Sequence, residues 1–124
     1  MAKGRDKHQS YLDALNLLGK SLARRAGRKC ELSEMSGRLV IHDLEGSKVE
    51  PALAHIILVS ESMKSFLDGA PIVEAQLRCL ENAVWSTEGA VRRASVQLLS
   101  RVEADWAKSA IENAIMMDES ATAQ

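Results

Sequence analysis

Leu12, Leu15, Leu18 and Leu22, followed by Ala26, recur at spacings of three and four in an otherwise polar stretch. That spacing places them on one helical face and predicts a helix from about Ser10 to Ala26. Gly27 stands where a left-handed terminating residue is expected, and basic side chains in the last turn suit the helix dipole. Met1–Gln9 has no such pattern and is expected to be mobile. The period then shortens. Arg38–Asp43 and Leu53–Val59 are β-branched, apolar runs that predict two paired strands. Ser36-Gly37 predicts a tight turn before the first, and Leu44–Pro51, with Gly46 and Pro51, a loop between them. Ser60 is placed to cap a short helix, Glu61–Asp68, which Gly69 and Pro71 end.

Helical spacing returns in the last third. Val73, Leu77, Leu80 and Val84 form one stripe, with Glu74/Arg78 expected as an i,i+4 pair outside it. Trp85-Ser86 breaks the pattern, and Ser86 or Thr87 is placed to cap the next helix. There Val91, Ala94, Leu98 and Val102, with Leu99 beside them, are expected to face inward, and Arg93, Gln97 and Arg101 outward. A third segment from about Trp106 repeats the design with Ala107, Ala110, Ile111, Ala114 and Ile115. Asp118–Gln124 lacks periodicity and is expected to fray. The pattern predicts an α+β fold in one domain, 1–124. Residues 1–27 form an N-terminal arm and long helix, and 28–70 a small ribbon-like hairpin. Residues 71–117 form a three-helix array, and 118–124 a flexible tail.

Composition refines this picture in three ways. Aromatics are 3% of the chain and hydrophobic residues 46%, so the core must be built from Leu, Val, Ile, Ala and Met. A chain of 124 residues buries roughly two-thirds of its unfolded surface, enough for a core without metal or disulfides. The net charge of −1 hides an asymmetry: 1–30 carry +6 and the remainder −7. A basic arm of this kind suits an acidic partner or the acidic part of another copy. The charged N-terminus lacks the apolar core of a secretory signal, and the longest strictly apolar run is Ile56–Val59, too short to span a bilayer. Two distant cysteines give no disulfide framework. A cytoplasmic protein without membrane contact is expected.

Two short stretches carry the candidate chemistry. Arg28–Ser33 reads R-K-C-E-L-S, and Leu58–Met63 reads L-V-S-E-S-M. Cysteine at positions 30, 33, 60 and 63 would make the C-x-x-C…C-x-x-C of a zinc ribbon. Here the four are Cys30, Ser33, Ser60 and Met63.

Lys7–Ser33, K-H-Q-S-Y-L-D-A-L-N-L-L-G-K-S-L-A-R-R-A-G-R-K-C-E-L-S, resembles the opening of bacterial PhnA-like zinc-ribbon proteins, where a helix leads into R-x-K-C-E-L-C. Leu58–Met63 resembles their L-L-C-E-x-C. Arg78–Ser86, R-C-L-E-N-A-V-W-S, followed by A-V and L-L-S-R-V, resembles their R-C-L-N-x-x-x-W-S…A-V…L-L-x-R-L. The likeness implies a ribbon between a leading helix and a helical array. Three departures bear on chemistry and shape. Three of the four ligand positions lack a thiolate, Gly89 replaces a proline, and the small C-terminal β domain of longer members has no counterpart. A serine hydroxyl is a poor zinc ligand and a thioether favours softer ions. The expectation is therefore a short, zinc-independent member with no cofactor. Its apolar residues Leu39, Ile41, Ile56, Leu58, Met63 and Phe66 must offset the roughly 10 kcal/mol that a structural zinc supplies to small folds.

A rebuilt metal site from Cys30, His42, His55 and Met63 is the alternative at this locus. Catalysis has little support: no G-x-S-x-G, no Ser-His-Asp spacing and no Gly-rich phosphate loop occur. Cys79 falls beside core positions on a helix and reads as a small buried hydrophobe. No enzyme is expected, and a hydrolase tied to phosphonate metabolism is a remote alternative implied by the family name alone.

The leading expectation is a binding or regulatory protein acting through protein–protein contacts, homodimerisation included. Its partner-binding residues would be Lys20, Arg24, Arg25, Arg28 and Lys29. The alternative is a nucleic-acid-binding regulator that adds Arg92, Arg93, Gln97 and Arg101, on a helix after a short turn. Net acidity and scarce aromatics speak against that alternative. Trp85 and Trp106 are expected to close the helical core, or to anchor an interface if exposed.

Overall fold

The computed structural model of the chain describes residues 2–46 and 49–122. The fold is α+β. A long helix α1 (Ala2–Ala26) is followed by an antiparallel hairpin of β1 (Leu39–Asp43) and β2 (Ile56–Ser60), and then by helices. These are α2 (Glu61–Leu67), α3 (Glu74–Leu77), α4 (Leu80–Ala83), α5 (Gly89–Leu99) and α6 (Asp105–Thr122).

Helix α1 starts eight residues before the expected point. Ala, Lys and Arg at its start are good helix formers, and propensity extends the helix without an apolar stripe. Met1, part of the expected mobile arm, lies outside the described residues. The C-terminus ends as predicted. The Gly27 N–H bonds the Arg24 carbonyl and the Arg28 N–H bonds the Ala23 carbonyl, with both residues left-handed. This double bond pattern satisfies carbonyls the helix would otherwise orphan.

The hairpin pairs Leu39 with Ser60 through to Asp43 with Ile56. Its second strand starts three residues later than expected because Leu53–His55 forms a 3-10 turn. The Arg25 guanidinium binds the Leu53 and Ile56 carbonyls, so these groups bond a side chain at the turn. The far edge of β2 is closed by Glu31, whose backbone N–H bonds Leu58 O at 2.8 Å and whose carboxylate accepts the Leu58 N–H at 2.9 Å. An edge satisfied in this way offers no template for another strand. Of the loop expected over 44–51, Ser47 and Lys48 lie outside the described residues.

Ser60 caps α2 as predicted, accepting the Met63 N–H at 3.3 Å. One continuous core joins the hairpin to the helices. Ile57, Val59, Met63 and Phe66 meet Leu77, Leu80, Val84, Val91, Leu98 and Leu99 there. Leu22 and Ile56, both fully buried, stand apart from that core.

Four expectations for the last third are corrected. The stripe expected as one helix from Val73 is two short helices, interrupted at Arg78–Cys79 by i→i+3 bonds. The array therefore has four helices. The expected Glu74/Arg78 pair does not form: Glu74 accepts the Trp106 indole N–H at 3.0 Å, while Arg78 lies over that ring and pairs with Glu81. Glu88, not Ser86 or Thr87, occupies the cap position of α5, and Ser86 Oγ instead accepts the Glu88 N–H. Residues 118–122, expected to fray, continue α6, with Asp118 held by Arg92 at 2.6 Å; Ala123 and Gln124 lie outside the described residues. Three side chains of the last third also differ in exposure, Val73 of the expected inward stripe being 46% exposed. Trp85 is 49% exposed and Ile115 is 49% exposed, so neither closes the core. No helix among the described residues is long and apolar enough to cross a membrane.

Candidate functional site

The two candidate stretches each form a knuckle-shaped turn closed by a hydrogen bond to its first side chain. In the first, the Ser33 N–H bonds Cys30 Sγ at 3.3 Å, and the Cys30 N–H closes the loop on the Met35 carbonyl. In the second, the Met63 N–H bonds Ser60 Oγ at 3.3 Å, the bond that caps α2. Glu31 binds the first knuckle to β2, next to the second.

The donor set does not fit zinc. Cys30 and Met63 are buried in the shared core, where the thioether packs among apolar side chains. Among the described residues no three His, Cys, Asp or Glu side chains converge as a metal site. His42 turns to α2, its Nδ1 3.1 Å from Lys64 Nζ, and Lys64 also bonds Asp68 at 2.9 Å. The ammonium can only donate, so Nδ1 accepts and the ring is neutral. Burial pulls the His42 pKa down, and the Lys64 charge lowers it further. His55 Nδ1 is buried without a hydrogen-bond partner. The Cys79 thiol is pushed up to about 11, chiefly by burial, which disfavours the reactive thiolate.

The basic residues divide into two groups. Arg25 is wholly engaged within the fold. It donates two hydrogen bonds of 2.9 Å to the Glu31 carboxylate, donates to Leu53 O and Ile56 O, and approaches Glu88 at 3.7 Å. Burial opposes its charge, but the Glu31 hydrogen bonds and charge outweigh this and raise its pKa. The α5 region behaves likewise. Arg92 bonds Asp118 and Ser86 O, Arg93 bonds Glu45 and Ala54 O, and Arg101 bonds Phe66 O and Ala70 O. The Arg93 hydrogen bond holds the Glu45 carboxyl below its ordinary range. Gln97 is exposed on the same helix.

Lys20, Arg24, Arg28 and Lys29 form the other group. They are exposed, and among the described residues none has a hydrogen bond or ion pair from its side chain. Lys20, Arg24 and Arg28, with Ala23 and Gly27, line an open concavity of about 570 Å³ at the end of α1. Leu17, 82% exposed, lies on that same helical face, three residues before Lys20 and seven before Arg24.

Sequence reasoning missed Glu31 and Leu17. Glu31 gave no signal beyond its place after Cys30. Leu17 was legible: it falls off the Leu12–Leu22 stripe and onto the basic one. A search of protein-family models, characterised proteins and solved structures found no match to this chain.

Proposed function

We infer that this is a non-catalytic binding or regulatory protein that acts through protein–protein contacts on the outer face of α1. The observation that carries this reading is the row Lys20, Arg24 and Arg28: cations with no partner among the described residues, beside an exposed leucine. A leucine among cations suits an acidic protein surface with an apolar centre better than it suits bare phosphates. The internal bonds of Arg92, Arg93 and Arg101 leave the nucleic-acid alternative fewer donors to use. Affinity capture with wild type and with Lys20→Glu/Arg24→Glu, across a salt series, tests the reading. The wild type should hold a protein partner that salt releases, and the variant should hold none. Equal capture by both sinks it.

The PhnA-like kinship belongs to the same proposal, as a zinc-independent relative. It is supported by the two retained knuckles and by a donor set poor in thiolate. Purified protein is expected to hold no stoichiometric zinc, and its thermal midpoint to ignore a chelator. One tightly held zinc per chain would overturn the zinc-independent part.

A further inference from the structure

We propose that the partner of the α1 face is the outer face of α6 in a second copy of this chain. The proposal rests on the reading of α1 given above and names its occupant. On α1 the exposed row is Leu17, Lys20, Arg24. On α6 an exposed row has the same spacing and the opposite charge: Glu112, then Ile115 and Met116, then Glu119. Ile115 is 49% and Met116 57% exposed, large apolar groups left about half uncovered among the described residues. Glu112 and Glu119 have no side-chain hydrogen bond or ion pair among the described residues. On α6 the apolar pair is flanked by unpaired carboxylates among the described residues, and on α1 the leucine stands at one end of a row of unpaired cations.

Location supports a symmetric arrangement. Arg25, near the end of α1, reaches Glu88 at 3.7 Å, and Asp118, near the end of α6, bonds Arg92 at 2.6 Å. The C-terminal ends of both helices therefore adjoin the start of α5. A two-fold dimer needs one surface that carries both complementary patches, so that each copy gives and receives the same contact. Trp85 stands at this corner, 49% exposed, next to Ser86, whose carbonyl Arg92 holds. A half-exposed tryptophan beside the start of α5 is a natural interface anchor. Crossing helices touch over two or three turns, so the contact centres on the second half of α6 and leaves Lys108, the one cation on that face, beside it. Nucleic acid would use the cations of α1 but leave Leu17, Ile115, Met116 and Trp85 bare, and the −7 carried by the rest of the chain would repel it.

Light scattering on size-exclusion fractions tests this with two charge-swapped variants of the full chain, Lys20→Glu/Arg24→Glu and Glu112→Lys/Glu119→Lys. The wild type is expected at twice the chain mass and each variant at the chain mass, with thermal midpoints near wild type. An equimolar mixture of the variants should return to twice the chain mass, because both contacts regain opposite charges. Trp85→Ala should weaken the dimer at least tenfold without monomerising through misfolding, which its circular dichroism checks. A monomeric wild type overturns the proposal, as does a dimer that survives both swaps or a mixture that stays monomeric. If the wild type is monomeric but Lys20→Glu/Arg24→Glu still abolishes capture of a different protein, this inference falls and the α1 reading stands. A monomeric wild type that binds a duplex oligonucleotide through Lys20 and Arg24 removes both.

Discussion

Arg24 and Arg25 are adjacent on α1 and have opposite surroundings. Arg25 faces the hairpin, where its guanidinium joins Glu31 to the Leu53 and Ile56 carbonyls. Arg24 faces solvent, in a concavity shared with Lys20 and Arg28. The side chains are chemically identical, and 100° of helical rotation separates a structural strut from an exposed cation, the one proposed above to dock a partner. The same division runs through the whole chain. Arg92, Arg93 and Arg101 follow Arg25, each bridging a carbonyl to another part of the fold. A planar guanidinium with five fixed donors suits that bridging work, which a lysine ammonium does poorly. A basic residue in this protein is therefore informative about partners only after its internal bonds have been counted.

The largest effect expected from this division is at Arg25. Its side chain is 16% exposed and that of Glu31 only 6%. Arg25→Ala would leave the Glu31 carboxylate buried without its cation and two carbonyls without a donor. Breaking one partner of a buried pair costs about 3–5 kcal/mol, so urea denaturation should show a loss of that order. Arg25→Lys should recover part of it, since the charge returns but the paired hydrogen bonds to Glu31 do not. A loss below about 1 kcal/mol would mean the pair is screened as a surface pair is, and the strut would lose its distinction from Arg24.

The elements were legible where a local pattern and the tertiary fold agreed. The leucine stripe of α1, the two strands, the Ser60 cap and the glycine stop of α2 all follow from spacing and turn chemistry. Disagreement arose where a distant side chain intervened. Trp106 recruits both Glu74 and Arg78, and the i,i+4 pair that their spacing promised is lost. Arg25 captures two carbonyls and delays β2. Arg92 anchors Asp118 and carries α6 past the point where its periodicity fades. For the candidate site, the knuckle positions and the cations of α1 were visible in sequence. Which cations were free was not, because their partners lie 6 to 48 residues away in the chain.

A smaller effect sharpens the comparison at Lys64, a lysine that acts inside the fold. Lys64 donates to His42 Nδ1 and to Asp68, beside Asp43 on the strand. Burial, then the Lys64 charge, lowers the His42 pKa, while Asp68 and Asp43 oppose the shift. The folded state thus binds a proton less readily than the unfolded state. The stabilisation is fully present above the ordinary histidine value of about 6.5 and is lost as pH falls through it toward the lower folded value. Denaturation midpoints should drop between about pH 7.5 and about pH 5.5, and His42→Gln should flatten that drop. An identical slope in the variant would assign it to carboxylates alone.

The smallest effect expected is on folding at Arg24, and it is the one that separates the two uses of charge most cleanly. Arg24→Ala removes no internal bond, since the side chain has no partner among the described residues. It also leaves an alanine, the best helix former, one turn after Lys20. Stability should therefore stay within about 0.5 kcal/mol of wild type, the usual range for surface changes without a specific mechanism. The same substitution should weaken partner binding and reduce its salt dependence, because one of the charges that meets the partner is gone. Urea denaturation and a salt-series binding measurement on one preparation give both quantities. A stability loss comparable to that of Arg25→Ala, with binding unchanged, would make Arg24 a second strut and erase the docking face.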